Sequence, residues 1–389
     1  MKRGNKKKRF LNLGRWYDIL SSLYAYIPYY LFPSRALPPL HLFVELTYRC
    51  NLRCAMCQFL PLLEGGELDR KRTEELSKEE ILAFVGAFPR TSVVTLTGGE
   101  PLLRTDFPQI IGALAGRNKI HIITNGTLLT EKNVNLLWEH RLRRIWGGGL
   151  LALGISIQGP AEVHDAIVGR RGAFETACAG IWMLNDLKER EHTPFPHIHT
   201  TAVITDRNAG YLAEIYEISR DLRAEYCNFT LFNSSDFGNR LDLENVTDYE
   251  TGPPFTMPID TGILKRQFDL MERTAEKSVT QIRFSPFGIS REEVMEYYSG
   301  RLDISRFYCN SPWRMLGISA YGDVSSCPLL SIGNIRKEDI SRLWNSRNQA
   351  RFRKALKKRG IFPACLGCCQ GIYAGKKGVI SNYPVPRGR

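Results

Sequence analysis

Ten cysteines stand in the 389-residue chain, and eight of them fall into two groups: Cys50, Cys54 and Cys57, then Cys309, Cys327, Cys365, Cys368 and Cys369. A disulfide scaffold would spread its cysteines through the chain. Grouped thiols in a reducing compartment point instead to metal or redox chemistry. The first group reads TYRCNLRCAMCQ, with three and then two residues between cysteines. Three thiolates on one tight loop can ligate three irons of a cubane and leave the fourth iron open. A structural zinc site takes four protein ligands, and no histidine or fourth cysteine lies close by in the sequence. Spacing alone leaves iron and zinc both open. Cys178, within an apolar helical run, and Cys227, at the start of a strand, read as core residues.

The elements that must position this loop follow from hydrophobic periodicity. LFVEL (42–46) reads as a strand leading into it, and VVTLT (93–97), IHIIT (120–124), LALGISI (151–157), HIHTTAVI (197–204) and CNFTLF (227–232) read as five more. Helical patterns separate them at 77–88, 107–114, 131–140, 173–184 and 209–222. The first of these opens with Ser77 and Glu80, the signature of a capping box. Such alternation calls for parallel strands joined by crossover helices. The expected fold is therefore α/β, a partial (β/α)6 TIM-like barrel with a small C-terminal α+β domain. In parallel barrels chemistry collects at the C-terminal strand ends. The cysteine loop, TGGEP, TNGT and SIQG all fall there.

Four segments are expected along the chain: a basic tail and amphipathic helix at 1–40, the barrel at 41–235, a linker or substrate loop at 236–280, and the auxiliary domain at 281–389. The linker assignment rests on turn-rich NSSDFGNR and TGPPFTMP, with an acidic stretch between them. The last segment shows short strands (MLGISA, DVSSC) and a basic helix ending before Gly360.

Composition, at 43% hydrophobic and 24% charged residues, is that of a globular protein. No apolar run reaches the roughly 20 residues a membrane-spanning helix needs. Trp16 to Phe32 comes nearest, interrupted by Asp18, Ser21, Ser22 and Pro28, and no secretory cleavage site follows it. A cytoplasmic location is expected. The net charge of +13 gathers in residues 1–15, which hold seven Lys and Arg without an acid, and in the run from Arg347 to Arg359. Trp16, Leu20, Leu23 and Ile27 share one helical face, with Pro28 expected to end the helix. A basic run followed by such a helix suits a peripheral membrane contact through residues 1–32, and equally a helix docked on the barrel.

The CxxxCxxC loop, the Gly98-Gly99-Glu100-Pro101 turn, Thr124-Asn125-Gly126 and the GISIQGP strand end together resemble the radical S-adenosylmethionine superfamily, from residue 41 to about 232. The resemblance implies that Cys50, Cys54 and Cys57 hold a 4Fe–4S cluster whose open iron chelates the methionine part of S-adenosylmethionine. Reductive cleavage then gives a 5′-deoxyadenosyl radical that abstracts a substrate hydrogen atom. It also implies that Glu100 accepts a hydrogen bond from the cofactor amino group, that Gly98 and Gly99 permit close backbone approach, and that Thr124 and Ser156 contact ribose or carboxylate. Pro101, Asn125 and Arg104, the last as a carboxylate partner, complete the expected set. Gln158 stands where many relatives carry Asp, and Met56 where an aromatic residue is usual; an amide can still bond a ribose, and a thioether can still pack on adenine.

CNSPWRMLGISAYGDVSSCP, then GNI (333–335) and LW (343–344), resembles the SPASM/twitch extension of the same superfamily. That resemblance implies one auxiliary 4Fe–4S cluster on Cys309, Cys327, Cys365 and Cys368, with Cys369 as the alternative to Cys368. Four cysteines ending in CxxC also suit zinc. A cluster with every iron held by protein would accept an electron from a substrate radical. The expected enzyme oxidises or rearranges a small-molecule or lipid-linked metabolite, served by an electron donor such as flavodoxin or ferredoxin. A maturase of ribosomal peptides is the alternative, weakened because only about 40 residues precede the barrel, too few for a peptide-recognition domain. A nucleic-acid modifying enzyme, suggested by the basic termini, comes third. No catalytic base is assigned: His164 reads as structural, and Asp236 as a solvated loop carboxylate.

Overall fold

The computed structural model describes residues 24–65, 72–233, 257–276, 278–327, 330–362 and 365–373. Seven strands, β1 (His41–Thr47), β2 (Val93–Gly98), β3 (Lys119–Thr124), β4 (Gly149–Ser156), β5 (His197–Ile204), β6 (Tyr226–Leu231) and β7 (Gln281–Ser285), lie side by side in that order, every pair parallel. The six strands expected from periodicity are all present. The seventh, QIRFS, carries only two apolar residues, Ile282 and Phe284, and none of its five side chains is fully buried, so its pattern is weaker than that of the other six. It falls in the stretch expected to open the auxiliary domain, so the parallel sheet runs further than expected.

Helices α1 (Lys78–Gly86), α2 (Phe107–Ala115), α3 (Glu131–Glu139), α4 (Ala161–Val168), α5 (Ala173–Arg190) and α6 (Leu212–Asp221) form the crossovers. At α1 the capping box is complete: Glu80 N–H donates to Ser77 Oγ at 3.2 Å, and Ser77 N–H to the Glu80 carboxylate at 2.8 Å. The strands turn one set of side chains outward. Leu42, Val44, Val94, Leu96, Ile120 and Ile122 have no exposed surface, and each such burial contributes about 2 kcal/mol. The alternate set, including Phe43, His121, His199 and Thr201, is only half-buried, and Ile123 is 37% exposed. The sheet therefore has a sealed outer face and an open inner one.

The expected linker at 236–280 is in part a helix. Helix α7 (Thr261–Ala275) buries Leu264, Phe268 and Met271, spaced i, i+4 and i+7, and packs against α6. Nearby prolines and acids masked this 3.6-residue period in the sequence. Residues 234–256 lie outside the described residues. Pro28 does not end its helix either. Helical residues run from 24 to 31, and the Pro28 carbonyl accepts from Phe32 N–H at 2.9 Å, because proline lacks a donor but keeps its acceptor. Trp16, Leu20 and Leu23 lie outside the described residues.

Beyond β7 come α8 (Arg291–Tyr298), a two-stranded pair β8 (Phe307–Tyr308) and β12 (Ile372–Tyr373), three further strands, and α9 (Arg347–Arg359). Strand β9 (Met315–Ile318) pairs in parallel with the free side of β1, and β10 (Asp323–Cys327) and β11 (Leu330–Asn334) add to it antiparallel. The result among the described residues is one ten-stranded open sheet, and Trp313, Leu316 and Phe352 share its core with Leu42 and Leu96.

Candidate functional site

The loop that carries Cys50, Cys54 and Cys57 leaves the C-terminal end of β1. Two backbone bonds tie it to the end of α4: Arg53 N–H to Val168 O at 3.0 Å and Ala55 N–H to Ile167 O at 2.9 Å. Two more come from the turn after β2, Gly99 N–H to Thr47 O at 2.7 Å and Glu100 N–H to Arg49 O at 2.9 Å. The contact admits no side chain. A Cβ at Gly98, where φ is +130°, would lie 2.2 Å from Thr47 O, and one at Gly99 2.3 Å from Arg49 O. The glycines thus allow the two chains to meet back to back.

Cys50, Cys54 and Cys57 are half-buried. Burial raises all three thiols, Cys54 to about 12, and Cys57 and Cys50 add to the rise at Cys54 by charge repulsion. Asn125 Nδ2–H donates to Cys50 Sγ at 3.7 Å. Three neighbouring thiols that resist ionising need a bound cation to hold them as thiolates. Among the described residues no three Cys, His, Asp or Glu side chains converge on a point that would hold a single metal ion. The donor set itself, three soft thiols on one loop, suits three corners of an iron–sulfur cubane.

Glu100 is fully buried, and its carboxylate accepts from Leu102 N–H (3.1 Å), Thr124 Oγ1–H (2.9 and 3.0 Å) and Asn125 N–H (2.8 Å). Burial lifts it to about 7, against the pull of those donors. Pro101, also buried, opens the short turn that presents Leu102 N–H.

Three expected cofactor contacts are engaged elsewhere. The Thr124 hydroxyl serves Glu100. The Arg104 guanidinium is buried and donates to Leu46 O (2.8 Å), Leu76 O (3.0 Å) and Asp106 (2.7 and 2.8 Å), so it clamps β1 to the start of α1. Gln158 accepts from Val203 N–H at 3.0 Å and donates to Thr201 O at 3.4 Å, which ties the end of β4 to β5. A buried amide in that position satisfies backbone groups that would otherwise lie unpaired. Ser156, at the end of β4, and Met56, on the cysteine loop, are half-buried. His164 is fully buried and accepts from Gln158 N–H at 3.0 Å, a structural role as expected, while Asp236 lies outside the described residues.

In the C-terminal extension Cys309 follows β8, Cys327 ends β10, and Cys365, Cys368 and Cys369 precede β12. Pairing of β8 with β12 draws the first and last of these segments together, and Cys309 Sγ–H points to Gln370 O at 3.8 Å. Burial raises Cys309 and Cys365, and both feel the charge of Cys368. Cys369 is exposed where Cys368 is half-buried.

One group on the inner face carries no motif and escaped the sequence reading. His41 Nε2 lies 2.6 Å from Thr95 Oγ1, which lies 3.0 Å from His121 Nδ1. The His121 ring is 5.1 Å from that of His199, and its Nε2 is buried without a partner. Gly154 makes room for this row, because a Cβ there would stand 2.3 Å from His199 Nε2. Burial lowers His41 and His199 to about 3 and His121 to about 4, so all three stay neutral. Histidine at alternate strand positions (HLFVE, IHIIT, HIHTT) was the available signal.

An open parallel half-barrel with a thiol-bearing loop at its strand ends, joined to a second thiol cluster, defines an iron–sulfur enzyme framework. The sequence profile of the Radical SAM superfamily matches residues 44–217, and that of an iron–sulfur cluster-binding domain (SPASM) matches residues 309–369. The AdoMet-dependent heme synthase of Nitratidesulfovibrio vulgaris is 32% identical over 326 residues, 80% of this chain and 79% of the relative. The Bacillus subtilis antilisterial bacteriocin subtilosin biosynthesis protein AlbA is 26% identical over 361 residues, 88% of this chain and 69% of the relative. The crystal structure of Streptococcus suis SuiB has the same fold, with a TM-score of 0.54 at 15% identity over 87% of this chain and 73% of that one. The chain belongs to the radical SAM superfamily. It is a radical SAM enzyme with a C-terminal SPASM domain, its cofactors a 4Fe–4S cluster, S-adenosylmethionine and auxiliary iron–sulfur.

Proposed function

We propose that the chain catalyses a net two-electron oxidation of a small, non-peptide substrate held on the inner face of the sheet. The observation that carries this reading is the pair of unequal thiol sets: three cysteines at the mouth of the inner face, and five on the extension, enough to ligate every corner of a second cluster. When bound, the first cluster and S-adenosylmethionine supply a hydrogen-abstracting radical, and the auxiliary cluster supplies a one-electron acceptor. Cys50, Cys54 and Cys57 hold the first cluster; Cys309, Cys327, Cys365 and Cys368 hold the second. Ser156 and Met56, half-buried near the loop, face the nucleoside, with Asn125 bonding the Cys50 sulfur.

The similarity to heme synthases over most of the chain favours a non-peptide substrate. The similarity to AlbA supports a second reading, a peptide substrate.

Anaerobic reconstitution tests the framework. The wild type should take up about eight irons and the Cys50/Cys54/Cys57→Ala variant about four, with 5′-deoxyadenosine formed only by the former. Cys365→Ala should also lose about four irons yet still form deoxyadenosine. To test the substrate class, the low-molecular-mass and peptide fractions of a cell extract are compared as stimulants of cofactor cleavage. Stimulation by the peptide fraction alone overturns the small-molecule reading.

A further inference from the structure

The positive charge of this protein belongs to two segments that are far apart in sequence. From Ile340 to Arg389 there is no Asp or Glu against twelve Lys or Arg, and residues 1–44 hold eight Lys or Arg against Asp18 alone. The two segments carry +12 and +7, a surplus of +19 against +13 for the whole chain, which leaves 45–339 at −6.

Within the described residues, 24–44 of the first segment lie against 340–359 of the second. Lys357 Nζ donates to Tyr30 O at 3.1 Å, Trp344 Nε1–H to Leu37 O at 2.8 Å, and Ala36 N–H to Asn345 Oδ1 at 2.9 Å. Arg353 is the one cation of α9 turned fully inward, donating to the carbonyls of Pro312 and Trp344. Arg347, Arg351, Lys354 and Lys358, spaced i, i+4, i+7 and i+11, form an exposed stripe along the helix.

Beside that stripe stands an apolar group that nothing in the described residues covers. Ile27, Tyr30, Leu31 and Phe32 are 52%, 62%, 66% and 62% exposed, on and just beyond the end of one short helix. Such a cluster marks a contact surface rather than chance exposure. We infer that this face, helical residues 24–31 together with α9, docks on an anionic phospholipid membrane. Aliphatic and aromatic side chains enter the headgroup boundary while the flanking cations meet lipid phosphates. A nucleic acid would satisfy the cations and could stack on Tyr30 and Phe32, but it offers nothing to Ile27 and Leu31. An acidic protein carrier remains distinguishable by experiment. The inference goes beyond the proposed reaction and stands whichever substrate is right.

The test is co-flotation of the reconstituted full chain with vesicles of phosphatidylcholine alone, and of phosphatidylcholine with about one third phosphatidylglycerol. Leu31→Glu/Phe32→Glu removes the apolar contact, and Lys354→Glu/Lys358→Glu reverses part of the stripe; both pairs are exposed. The wild type should bind the anionic vesicles, and each variant should bind about tenfold more weakly or worse. The charge variant should also lose most of the salt sensitivity. Both should retain wild-type iron content and deoxyadenosine formation. Equal binding to both vesicle types overturns the inference, and so does binding that neither variant weakens. Stronger binding to a single-stranded oligonucleotide or to acidic flavodoxin than to anionic vesicles also overturns it.

Discussion

Replacing Gly99 with alanine puts a methyl group where the turn after β2 touches the cysteine loop. The new Cβ would lie 2.3 Å from Arg49 O and 2.6 Å from Tyr48 O. Relieving such overlaps requires the turn to retreat by about 1 Å. Two backbone bonds cross the same gap, Gly99 N–H to Thr47 O at 2.7 Å and Glu100 N–H to Arg49 O at 2.9 Å. A retreat of that size stretches both beyond bonding length. Losing each bond costs about 1–3 kcal/mol, so the variant should lose about 2–6 kcal/mol. Because Arg49 precedes Cys50, the loop that presents the thiols moves with it. The measurements are the thermal midpoint and the iron count after reconstitution. Gly86→Ala is the control: a Cβ at that last residue of α1 meets nothing within 4 Å. It should be neutral, or stabilising by up to about 1 kcal/mol. If Gly99→Ala melts with the control and holds as much iron, the back-to-back contact does not position the loop.

Other perturbations probe neighbouring features. Glu100→Gln replaces one acceptor oxygen with a donor where Leu102, Thr124 and Asn125 all point donors inward; a loss of about 1–3 kcal/mol in urea unfolding is expected, and none would mean the network does not hold the turn. Cys368→Ser should remove about four irons while Cys369→Ser keeps them, and the opposite pattern would make Cys369 the ligand. His41, His121 and His199 stay neutral in the folded chain down to about 3–4 but bind protons below about 6.5 once unfolded. Their contribution to stability is therefore complete above about 6.5 and lost as the pH falls toward 4. The thermal midpoint should drop between pH 7.5 and pH 5, and His121→Asn should flatten the drop; an unchanged slope would sink the assignment.

Much of this architecture follows from local pattern. The first six parallel strands and the capping box at Ser77 each depend on a period of two or a capping pair that the sequence displays. The three-cysteine loop is legible for the same reason, since its spacing is contained in eight consecutive residues. Where a side chain points is not local. Gln158 and Thr124 stand at strand ends, yet their bonds to Val203 and Glu100 depend on the register between neighbouring strands. Arg104 looks like a free cation in the sequence, but it lies under β1 because Leu46 and Leu76 present carbonyls there. The row of imidazoles needs residues from β1, β3 and β5 aligned across a glycine on β4, which no single segment contains. Helix α7 was hidden for a different reason, because its periodic core lies among turn-forming and acidic neighbours.

Strand β1 is held on both sides, by β2 across one edge and by β9 across the other, with His41 to Val44 facing Met315 to Ile318. A chain cut before β9 would bare a seam of unpaired amides along the strand that leads to the cysteine loop, and would uncover the apolar surface beneath Leu316 and Ile318. Exposed seams of that kind recruit other chains, so expression of the barrel alone should give aggregates rather than a smaller working enzyme. The extension is thus a closure for the barrel as much as a carrier of thiols, and the two halves cannot be exchanged between proteins as independent modules.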